Sequence, residues 1–542
     1  MSGCRVLLVY PNERDMSLVP PVYGLFTALL RERGHIAELF DCTGYDFEGK
    51  FDSGIESEKV LMVKPAEPAS YQGIKIKHTN MYEDFVKKVE AFNPDLIGMS
   101  VTESTFLRGI SLLGDLRFKK KHNILTIIGG VFPTFAPDRV FREPSIDIVC
   151  VGEGDFALVE LCERLRDSKD FTNIPSLWIK KTNGTNIKNN TGPAVDINSL
   201  PPLDFSIFED DRYYRPMRGK TYRMLPVETH RGCPYTCTFC NSPDQMALYK
   251  KETKGGYFRK KSMDLVYKEL KYFKENHGVE YNYFWADTFL AMNKTEFEEF
   301  CEMYSEIKLP FWMQTRPETV TEYNMKKLAE VGLHRISFGI EHGNEEFRKK
   351  ILDRRWKNKD IIEKLKIPHK YGIKFSCNNI TGFPTETKKL AFDTIELNRE
   401  LNGANATINS FMPFHGTPLR KMCEDLGLIK PETITKCLTQ NAPIIMQQYP
   451  PEEIESVKKC FSLYVKFPKD KWKEIERAEK NDKEGNKIYD ELKTEYLEKY
   501  MPKPDADPHG GLEDFKKMEN PNYSVQNSGE STPGSKDDLN YH

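Results

Sequence analysis

The chain has 542 residues, of which 39 % are hydrophobic and 12 % aromatic, and a net charge of -2. This length allows about two to four domains with sizeable cores. The near-neutral charge and the absence of a long basic run argue against nucleic acid or an anionic membrane as a partner. No apolar run reaches the length of a signal peptide or a membrane span, so we expect a cytoplasmic protein without a membrane span.

Residues 1–166 alternate apolar strands with amphipathic helical patterns. This alternation predicts a first α/β domain with a parallel sheet covered on both faces. Ligands of such sheets bind at the carboxyl ends of the strands. The predicted strands are Arg5–Tyr10, Ile36–Phe40, Leu96–Val101, Ile124–Ile128 and Ile146–Val151.

Three of these strand ends carry small or hydroxyl residues, which would let the backbone approach a flat or phosphorylated ligand. Ordinary turns of a doubly wound domain are the alternative interpretation. The segment 44–80 is longer than a usual connection, which marks it as functional or flexible. The candidate residues are Ser100, Thr102 and Ser104, then Gly129, Gly130, Pro133 and Thr134, and finally Gly152, Glu153 and Gly154.

Residues 167–222 form a predicted connector. Two strand-like runs, 177–182 and 185–188, flank Asn183-Gly184, which is typical of a tight β-hairpin.

Residues 223–425 repeat a strand and a helix six times, which predicts a partial (β/α)6 barrel with its chemistry at the carboxyl ends of the strands. Residues 426–501 read as helical, and residues 502–542 are poor in apolar side chains and predicted to be disordered. The barrel strands are predicted at Met224–Glu228, Tyr281–Ala286, Phe311–Thr315, Ile336–Glu341, Lys374–Ile380 and Thr407–Pro413.

One loop after the first barrel strand holds Cys233, Cys237 and Cys240 in the spacing C-x3-C-x2-C. Three thiolates can bind three irons of a cubane cluster and leave the fourth iron open to a ligand that is not protein. A zinc knuckle with His230 as the fourth ligand is an alternative. Chance clustering among the 12 cysteines of the chain is another.

The cysteine spacing, with Phe239 before the last cysteine, resembles the radical SAM superfamily. The segments Val9-Tyr10-Pro11, Ile128-Gly129-Gly130 and Val151-Gly152-Glu153-Gly154 resemble the cobalamin-binding domain of B12-dependent radical SAM enzymes. This resemblance implies three cofactors: a [4Fe-4S] cluster, S-adenosylmethionine and cobalamin. Over residues 4–425 it also implies the fold order of a Rossmann-like cobalamin-binding domain and a radical SAM barrel, which the predicted helical C-terminal region follows.

The resemblance also implies roles for residues at the barrel strand ends. Asp287 would receive the amine of S-adenosylmethionine, Glu341 would lie near its ribose or carboxylate, and Gly382 would lie along its adenine. A helix cap or an ion pair at the rim is the alternative for Asp287 and Glu341. Arg316 would bind a carboxylate of cofactor or substrate, or form a structural ion pair, and His415 would touch substrate or be structural.

The function implied is reductive cleavage of S-adenosylmethionine to a 5′-deoxyadenosyl radical. Methylation of an unactivated carbon or phosphorus centre of a small molecule would follow through methylcobalamin, with an external electron donor such as flavodoxin or ferredoxin. No catalytic residue is identified. The alternatives are a non-methylating cyclase or rearrangement enzyme, such as the anaerobic magnesium-porphyrin ester cyclases, and a non-catalytic corrinoid or cluster sensor.

A histidine ligand below the cobalt is not expected. The loop after the first strand lacks the D-x-H-x-x-G pattern that supplies this ligand in many cobalamin domains. Water, an apolar contact or a group such as Arg14 would face the metal instead.

Overall fold

The computed structural model describes residues 3–13, 19–45, 53–63, 75–114, 124–181, 184–217, 220–253 and 255–501. Arg14, Asn183 and the predicted disordered tail, 502–542, lie outside the described residues. The described chain is an α/β structure with two seven-stranded sheets followed by helices.

The first sheet has the strand order β2-β1-β3-β4-β5-β6-β7. Strands β1 to β5 are parallel, as predicted, and each lies within two residues of its predicted bounds. Strands β6 and β7 of the predicted connector pair antiparallel, and they extend this sheet because β6 also pairs antiparallel with β5. The tight turn predicted at Asn183-Gly184 lies partly outside the described residues. The strands are β1 Arg5–Tyr10, β2 Ile36–Asp41, β3 Leu96–Ser100, β4 Leu125–Gly129, β5 Ile148–Cys150, β6 Leu177–Ile179 and β7 Ile187–Lys188.

The helices of this first part cover both faces of the sheet, since two separate apolar cores lie on its two sides. Local signals begin and end them: Asn80 accepts hydrogen bonds from two amides of the α3 first turn, and Asn93 ends α3 in the left-handed conformation. The helices are α1 Pro21–Glu32, α2 Ser53–Lys59, α3 Met81–Phe92, α4 Glu103–Leu113, α5 Val131–Phe135, α6 Pro137–Phe141 and α7 Asp155–Arg166.

The second sheet has the order β16-β15-β14-β13-β12-β9-β8 and is the predicted partial barrel. Six strands are parallel and β8 adds an antiparallel edge. A short ribbon, β10 with β11, lies outside it. The strands are β8 Tyr214–Met217, β9 Lys220–Val227, β10 His230–Arg231, β11 Arg259–Lys260, β12 Tyr281–Phe284, β13 Phe311–Thr315, β14 Leu333–Glu341, β15 Lys374–Thr381 and β16 Asn405–Ser410.

The helices between these strands pack on the outer face of the curled sheet. The longest, α9, begins after Ser262, which accepts a hydrogen bond from Leu265 N, and ends at the left-handed Gly278. These helices are α8 Ser242–Thr253, α9 Met263–His277, α10 Lys294–Ile307, α11 Glu322–Glu330, α12 Glu345–Ile351, α13 Asn358–Lys370, α14 Lys388–Leu401 and α15 Pro418–Asp425.

The two faces of this half-barrel differ in chemistry. Alternate residues such as Phe284 and Phe338 are fully buried against the outer helices. On the opposite, inner face, Trp312 donates to Ser337 Oγ at 3.2 Å, and Ser337 lies 2.8 Å from Ser376 Oγ. The apolar core therefore lies outside the sheet, and polar and aromatic side chains line its concave side.

Helices α16 Pro451–Lys466, α17 Trp472–Ala478 and α18 Lys483–Lys499 form the C-terminal region and share a core with β16. The long segment after β2 reaches them. Ser462 Oγ donates to Leu61 O at 3.5 Å, and Tyr489 donates to Lys59 O at 2.5 Å. Among the described residues, no helix combines the length and apolarity needed to cross a membrane.

Candidate functional site

The cysteine loop follows β9 and runs through the β10–β11 ribbon to the start of α8. Gly232 has a φ of +89° and contacts the Tyr257 ring, so a side chain there would be strained and crowded. Cys233 and Cys237 are buried, and Cys240 is partly buried.

Each sulfur of the loop has a possible hydrogen-bond donor nearby, and the donors to Cys237 come from distant parts of the chain. Cys237 Sγ accepts from Arg316 Nη1 and from Arg354 Nε, both at 3.4 Å. Ser242 N donates to Cys240 Sγ at 3.5 Å, and the Thr288 hydroxyl lies 3.5 Å from Cys233 Sγ. Burial raises the pKa of the Cys233 thiol and raises that of Cys240 to about 11.

These surroundings fit an iron–sulfur cluster better than a single metal ion. Within the described ranges, no three His, Cys, Asp or Glu side chains converge as they would around one ion. His230 is buried, its Nδ1 lies 3.2 Å from Thr229 Oγ1, and burial lowers its pKa to about 4. A cubane needs no such convergence, because each thiolate binds a different iron, and its thiolates are tuned by hydrogen bonds of the kind found here.

Asp287 lies just beyond the end of β12, beside the cysteine loop. Its carboxylate accepts a hydrogen bond from Ser242 Oγ at 2.7 Å, and Ser242 also donates its backbone N–H to Cys240. Burial raises the pKa of Asp287. The structure thus brings this predicted carboxylate to the cluster loop, while its role toward S-adenosylmethionine stays a prediction.

Glu341 ends β14 in an unusual backbone conformation. Its φ is +64°, where the pairing of β14 with β15 shifts register. Irregularities of this kind re-aim a side chain and are frequent beside active sites. The carboxylate folds over Gly339, where a Cβ would overlap it, and pairs with Arg354 at 3.2 Å. The predicted alternative, an ion pair, is therefore formed, and burial raises the pKa of Glu341.

Phe239 lies near the Gly382 turn, because its ring contacts that of Phe383, the residue after Gly382. The Phe239 and Phe383 rings are 6.2 Å apart, and Gly382 turns with a φ of +81° against Ile454 of α16. Glu386 accepts hydrogen bonds from the Gly382 and Phe383 amides at 2.6 and 2.9 Å. The Glu386 carboxylate therefore holds this turn in shape. The predicted position of Gly382 along the adenine of S-adenosylmethionine stays a prediction.

Arg316 forms the structural ion pair that was one of its two expected roles, and its binding of a cofactor or substrate carboxylate stays a prediction. Its guanidinium pairs with Glu318 at 2.6 Å, stacks on Tyr235 at 3.8 Å and also reaches Cys237.

The predicted cobalamin loops meet at the carboxyl edge of the first sheet. Thr102 Oγ1 lies 3.1 Å from Ser104 Oγ in the capping box of α4. Gly130 has a φ of +106° and abuts Val101, so no side chain fits there. Thr134 donates to Gly130 O at 2.8 Å and accepts from Gly152 N at 3.1 Å. These bonds join the second and third loops, and the contact of either loop with cobalamin stays a prediction.

The Glu153 side chain points toward the barrel. It pairs with Arg231 at 2.9 Å and with Arg259 at 2.6 Å, and it accepts from Val195 N at 2.8 Å. Arg231 lies two residues before Cys233 and also pairs with Asp155 at 3.1 Å. Burial acts to raise the pKa of Glu153, but the two arginines outweigh it and lower that pKa.

A second bridge joins the same two parts of the chain. His415, after β16, pairs through Nδ1 with Glu103 of α4 at 2.9 Å and packs on Phe132 with the ring centres 5.2 Å apart. Asn241, next to Cys240, donates to His415 O at 2.7 Å. The carboxyl edges of the two parallel sheets therefore face each other. His415 has a structural role here, and a contact with substrate stays untested.

The sequence interpretation missed Arg231, Ser242, Thr288 and Arg354. Ser242 and Arg231 flank the cysteine motif closely, so proximity could have indicated them. Arg354 follows a left-handed Asp353 on the connection after α12 and has no periodic or motif signal.

Two segments of the chain match described families. Residues 227–397 match the Radical SAM superfamily, and residues 68–162 match the B12 binding domain. Each match lies within one of the two sheet-containing parts.

Two curated relatives are similar over most of the chain. An uncharacterized methyltransferase of Pyrococcus horikoshii is 25 % identical over 390 residues, covering 71 % of this chain and 82 % of that protein. The anaerobic magnesium-protoporphyrin IX monomethyl ester cyclase of Cereibacter sphaeroides is 24 % identical over 356 residues, covering 64 % of this chain and 55 % of the cyclase. The match thus spans about half the length of that cyclase.

The solved structure of the cobalamin-dependent S-adenosylmethionine radical enzyme OxsB, with aqua-cobalamin and S-adenosylmethionine bound, has the same fold. It aligns with a TM-score of 0.62 at 17 % identity, covering 95 % of this chain and 75 % of OxsB.

The fold and site define an iron–sulfur enzyme of the radical SAM class that is joined to a B12-binding domain. The chain carries a radical SAM domain and a B12-binding domain, and the proteins to which it is similar include methyltransferases and the magnesium-protoporphyrin cyclase. The predicted fold class and the three predicted cofactors, [4Fe-4S] cluster, S-adenosylmethionine and cobalamin, are confirmed at this family level.

Proposed function

We propose that the protein cleaves S-adenosylmethionine reductively and methylates an unactivated carbon or phosphorus centre of a small molecule. The observation that carries this proposal is the meeting of the two sheet edges. The bridges from Glu103 to His415 and from Glu153 to Arg231 hold the cysteine loop and the glycine-rich loops against one another. A radical generated at one edge and a methyl donor held at the other would then share one enclosed space.

When bound, the cluster would supply the electron that breaks S-adenosylmethionine, and cobalamin would supply the methyl group. The chain's own residues prepare this space. Cys233, Cys237 and Cys240 would hold the cluster, and Arg316 and Arg354, which both donate to Cys237, would stabilise its thiolate charge.

Asp287 and Glu341 would bind the charged and hydroxyl groups of S-adenosylmethionine. A buried carboxylate stays ionised when an ammonium group arrives beside it, because an opposite charge lowers its pKa. Ser242 orients Asp287 by donating to it, and Arg354 orients Glu341. The polar inner face of the half-barrel, which includes Ser337, is left to line the substrate space.

The experiment is anaerobic reconstitution with iron, sulfide and cobalamin, followed by incubation with reductant, candidate metabolites and S-adenosylmethionine labelled in its methyl group. We expect 5′-deoxyadenosine and a small molecule that has gained the labelled methyl. The Cys437→Ser protein is the matched control, since Cys437 lies outside the cysteine loop, and it should behave as wild type.

The similarity to the magnesium-protoporphyrin cyclase supports a second candidate function, a radical enzyme that does not transfer a methyl group. It predicts 5′-deoxyadenosine with no transfer of label. A protein that forms neither 5′-deoxyadenosine nor labelled product under these conditions would contradict both enzymes and support the corrinoid or cluster sensor.

A further inference from the structure

A short segment after β14 packs directly against the cysteine loop. Thr238, between two cluster cysteines, donates its hydroxyl to Ile351 O at 2.5 Å and its amide to Leu352 O at 3.4 Å. Thr236 Oγ1 donates to Asp353 Oδ2 at 2.5 Å. The end of α12 and the connection to α13 therefore form an outer wall of the loop that carries the cluster ligands.

This wall, residues 348–359, is basic. It contains seven arginines and lysines against one acid, Asp353, in a chain whose net charge is only -2. Two of the seven are buried: Arg348 stacks on Trp356 at 3.5 Å, and Arg354 reaches Cys237. The five exposed cations are Lys349, Lys350, Arg355, Lys357 and Lys359.

Acidic neighbours neutralise only part of this charge. Lys350 lies 3.7 Å from Glu346, and Arg355 lies 3.1 Å from Asp353. Glu345 accepts a hydrogen bond from Asn358 N at 2.8 Å, which holds its carboxylate against the start of α13. Exposed pairs of this kind contribute little to stability and leave the field of the surplus cations toward solvent.

The wall also provides a short connection between solvent and the cluster. Arg354 touches the buried Cys237 sulfur, and the next residue, Arg355, has a side chain that is 77 % exposed. Cys237 itself is only 6 % exposed. A protein that delivers electrons to this cluster must approach over a surface close to the loop, and the basic wall is such a surface.

We propose that residues 348–359 are the docking surface for an acidic one-electron carrier protein, of the flavodoxin or ferredoxin class. This inference rests on the proposed function, because reductive cleavage consumes one electron. The carrier would be oxidised by one electron and the cluster reduced by one. That electron would break the carbon–sulfur bond of S-adenosylmethionine to give methionine and the deoxyadenosyl radical.

The physical reason is electrostatic steering. Complementary charge raises association rates by about 10- to 1,000-fold, and the effect falls steeply with ionic strength. Exposed charges are screened beyond about 10 Å at 0.1 M salt. A wall of lysines and arginines over the cluster loop would therefore guide an acidic carrier at low salt.

The test compares charge reversal at the wall with charge reversal elsewhere. The wall variant carries Lys349→Glu, Arg355→Glu and Lys357→Glu. The matched control carries Lys473→Glu, Lys483→Glu and Lys487→Glu on exposed positions of the C-terminal helices, with the same change in net charge. Stopped-flow absorbance follows reduction of the reconstituted full chain by flavodoxin hydroquinone and, separately, by photoreduced deazaflavin, a small donor.

We expect the second-order rate constant with flavodoxin hydroquinone to fall about 10-fold or more in the wall variant at low salt and to approach wild type at high salt. The control triple should match wild type throughout. Reduction by deazaflavin and the iron content should be unchanged in both. A neutral wall variant, with glutamine at the same three positions, should lie between wild type and the reversed protein.

Two results would overturn the proposal. One is an unchanged flavodoxin rate in both wall variants. The other is loss of iron or of deazaflavin reduction in the glutamine variant, which would mean that the wall only holds the loop in place. If flavodoxin reduction depends on the wall but no 5′-deoxyadenosine forms, the docking surface stands and the proposed reaction fails.

Discussion

The cysteine loop and the glycine-rich loops of the first sheet are both placed at carboxyl strand ends, yet they are built differently. The sulfurs of the cysteine loop receive donors from residues far away in the chain, such as Arg316 and Arg354. In the first sheet, the polar groups mostly bond to one another or to the barrel, as Thr134 and Glu153 do. The cysteine loop is therefore a site built from directed hydrogen-bond donors. The loops of the first sheet instead provide close backbone approach and the ion pairs that attach this sheet to the barrel.

This difference has a physical basis. Thiolates must be stabilised as anions, which requires directed N–H and O–H donors. A large flat cofactor requires close approach of backbone, which glycines with positive φ such as Gly130 permit. The side chains beside such glycines are then free to join the domains.

The largest expected effect comes from the cysteine loop itself. Cys237→Ala removes one of three ligands, so we expect the cluster iron to be lost and 5′-deoxyadenosine formation to be abolished. Iron analysis and chromatography of the reconstituted protein measure both. The Cys437→Ser protein should keep both, and full iron content in Cys237→Ala would contradict the ligand assignment.

The next effect concerns the anchor between the two parts. Glu153→Gln leaves Arg231 and Arg259 short of a partner in a buried site, which should lower the free energy of unfolding by about 3–5 kcal/mol. Denaturant titration measures this change. The control, Glu209→Gln, breaks the exposed pair with Lys77 and should cost about 0–1 kcal/mol. Equal effects of the two substitutions would show that Glu153 is not an anchor.

The same residue predicts a pH dependence. Because the folded-state pKa of Glu153 is lowered, its contribution is complete above its unfolded pKa of about 4.3 and is lost as the pH falls through the folded value. Wild type should therefore lose stability as the pH falls below that unfolded value. The Glu153→Gln protein should show a shallower loss, and an identical slope would argue against the ion pairs.

A smaller effect is expected at Asp287. Its substitution tests the electrostatic character of the barrel site without changing a cluster cysteine. Asp287→Asn removes the anion that would face the amine of S-adenosylmethionine. A hydrogen bond to a charged group contributes about 1.5–3 kcal/mol, so binding should weaken about 10- to 100-fold with iron content near normal. Equilibrium binding measures it. Unchanged affinity would make Asp287 a partner of Ser242 alone.

The smallest effect concerns the donors on Cys237. Arg354→Gln removes one charged donor from the sulfur, so the oxidised cluster is favoured and its reduction potential should fall. The shift should be at most on the order of 100 mV, since about 59 mV corresponds to a tenfold change for one electron. Potentiometric titration without S-adenosylmethionine measures it. The neighbouring Arg355→Gln should leave the potential unchanged, and a shift of equal size there would contradict the assignment.

Much of the architecture could be predicted from local pattern. The strands Arg5–Tyr10 and Phe311–Thr315 have the predicted bounds, because an apolar run of strand length is a property of contiguous residues. The hairpin at Asn183-Gly184 was also predicted, but its pairing with β5 was not. Edge pairing depends on which strand is left open, and no local signal records that.

The site divides in the same way. The cysteine spacing and the strand-end carboxylates follow from order along the chain, so the candidate ligands and the resemblance that implied the cofactors were determined by the sequence alone. The bond of Arg354 to Cys237 joins residues 117 positions apart. The bond of His415 to Glu103 joins residues 312 positions apart and links the two sheets. Such contacts depend on how the two sheets curl and face each other, so only the tertiary structure decided which charges surround the cluster and which side chains hold the two edges together.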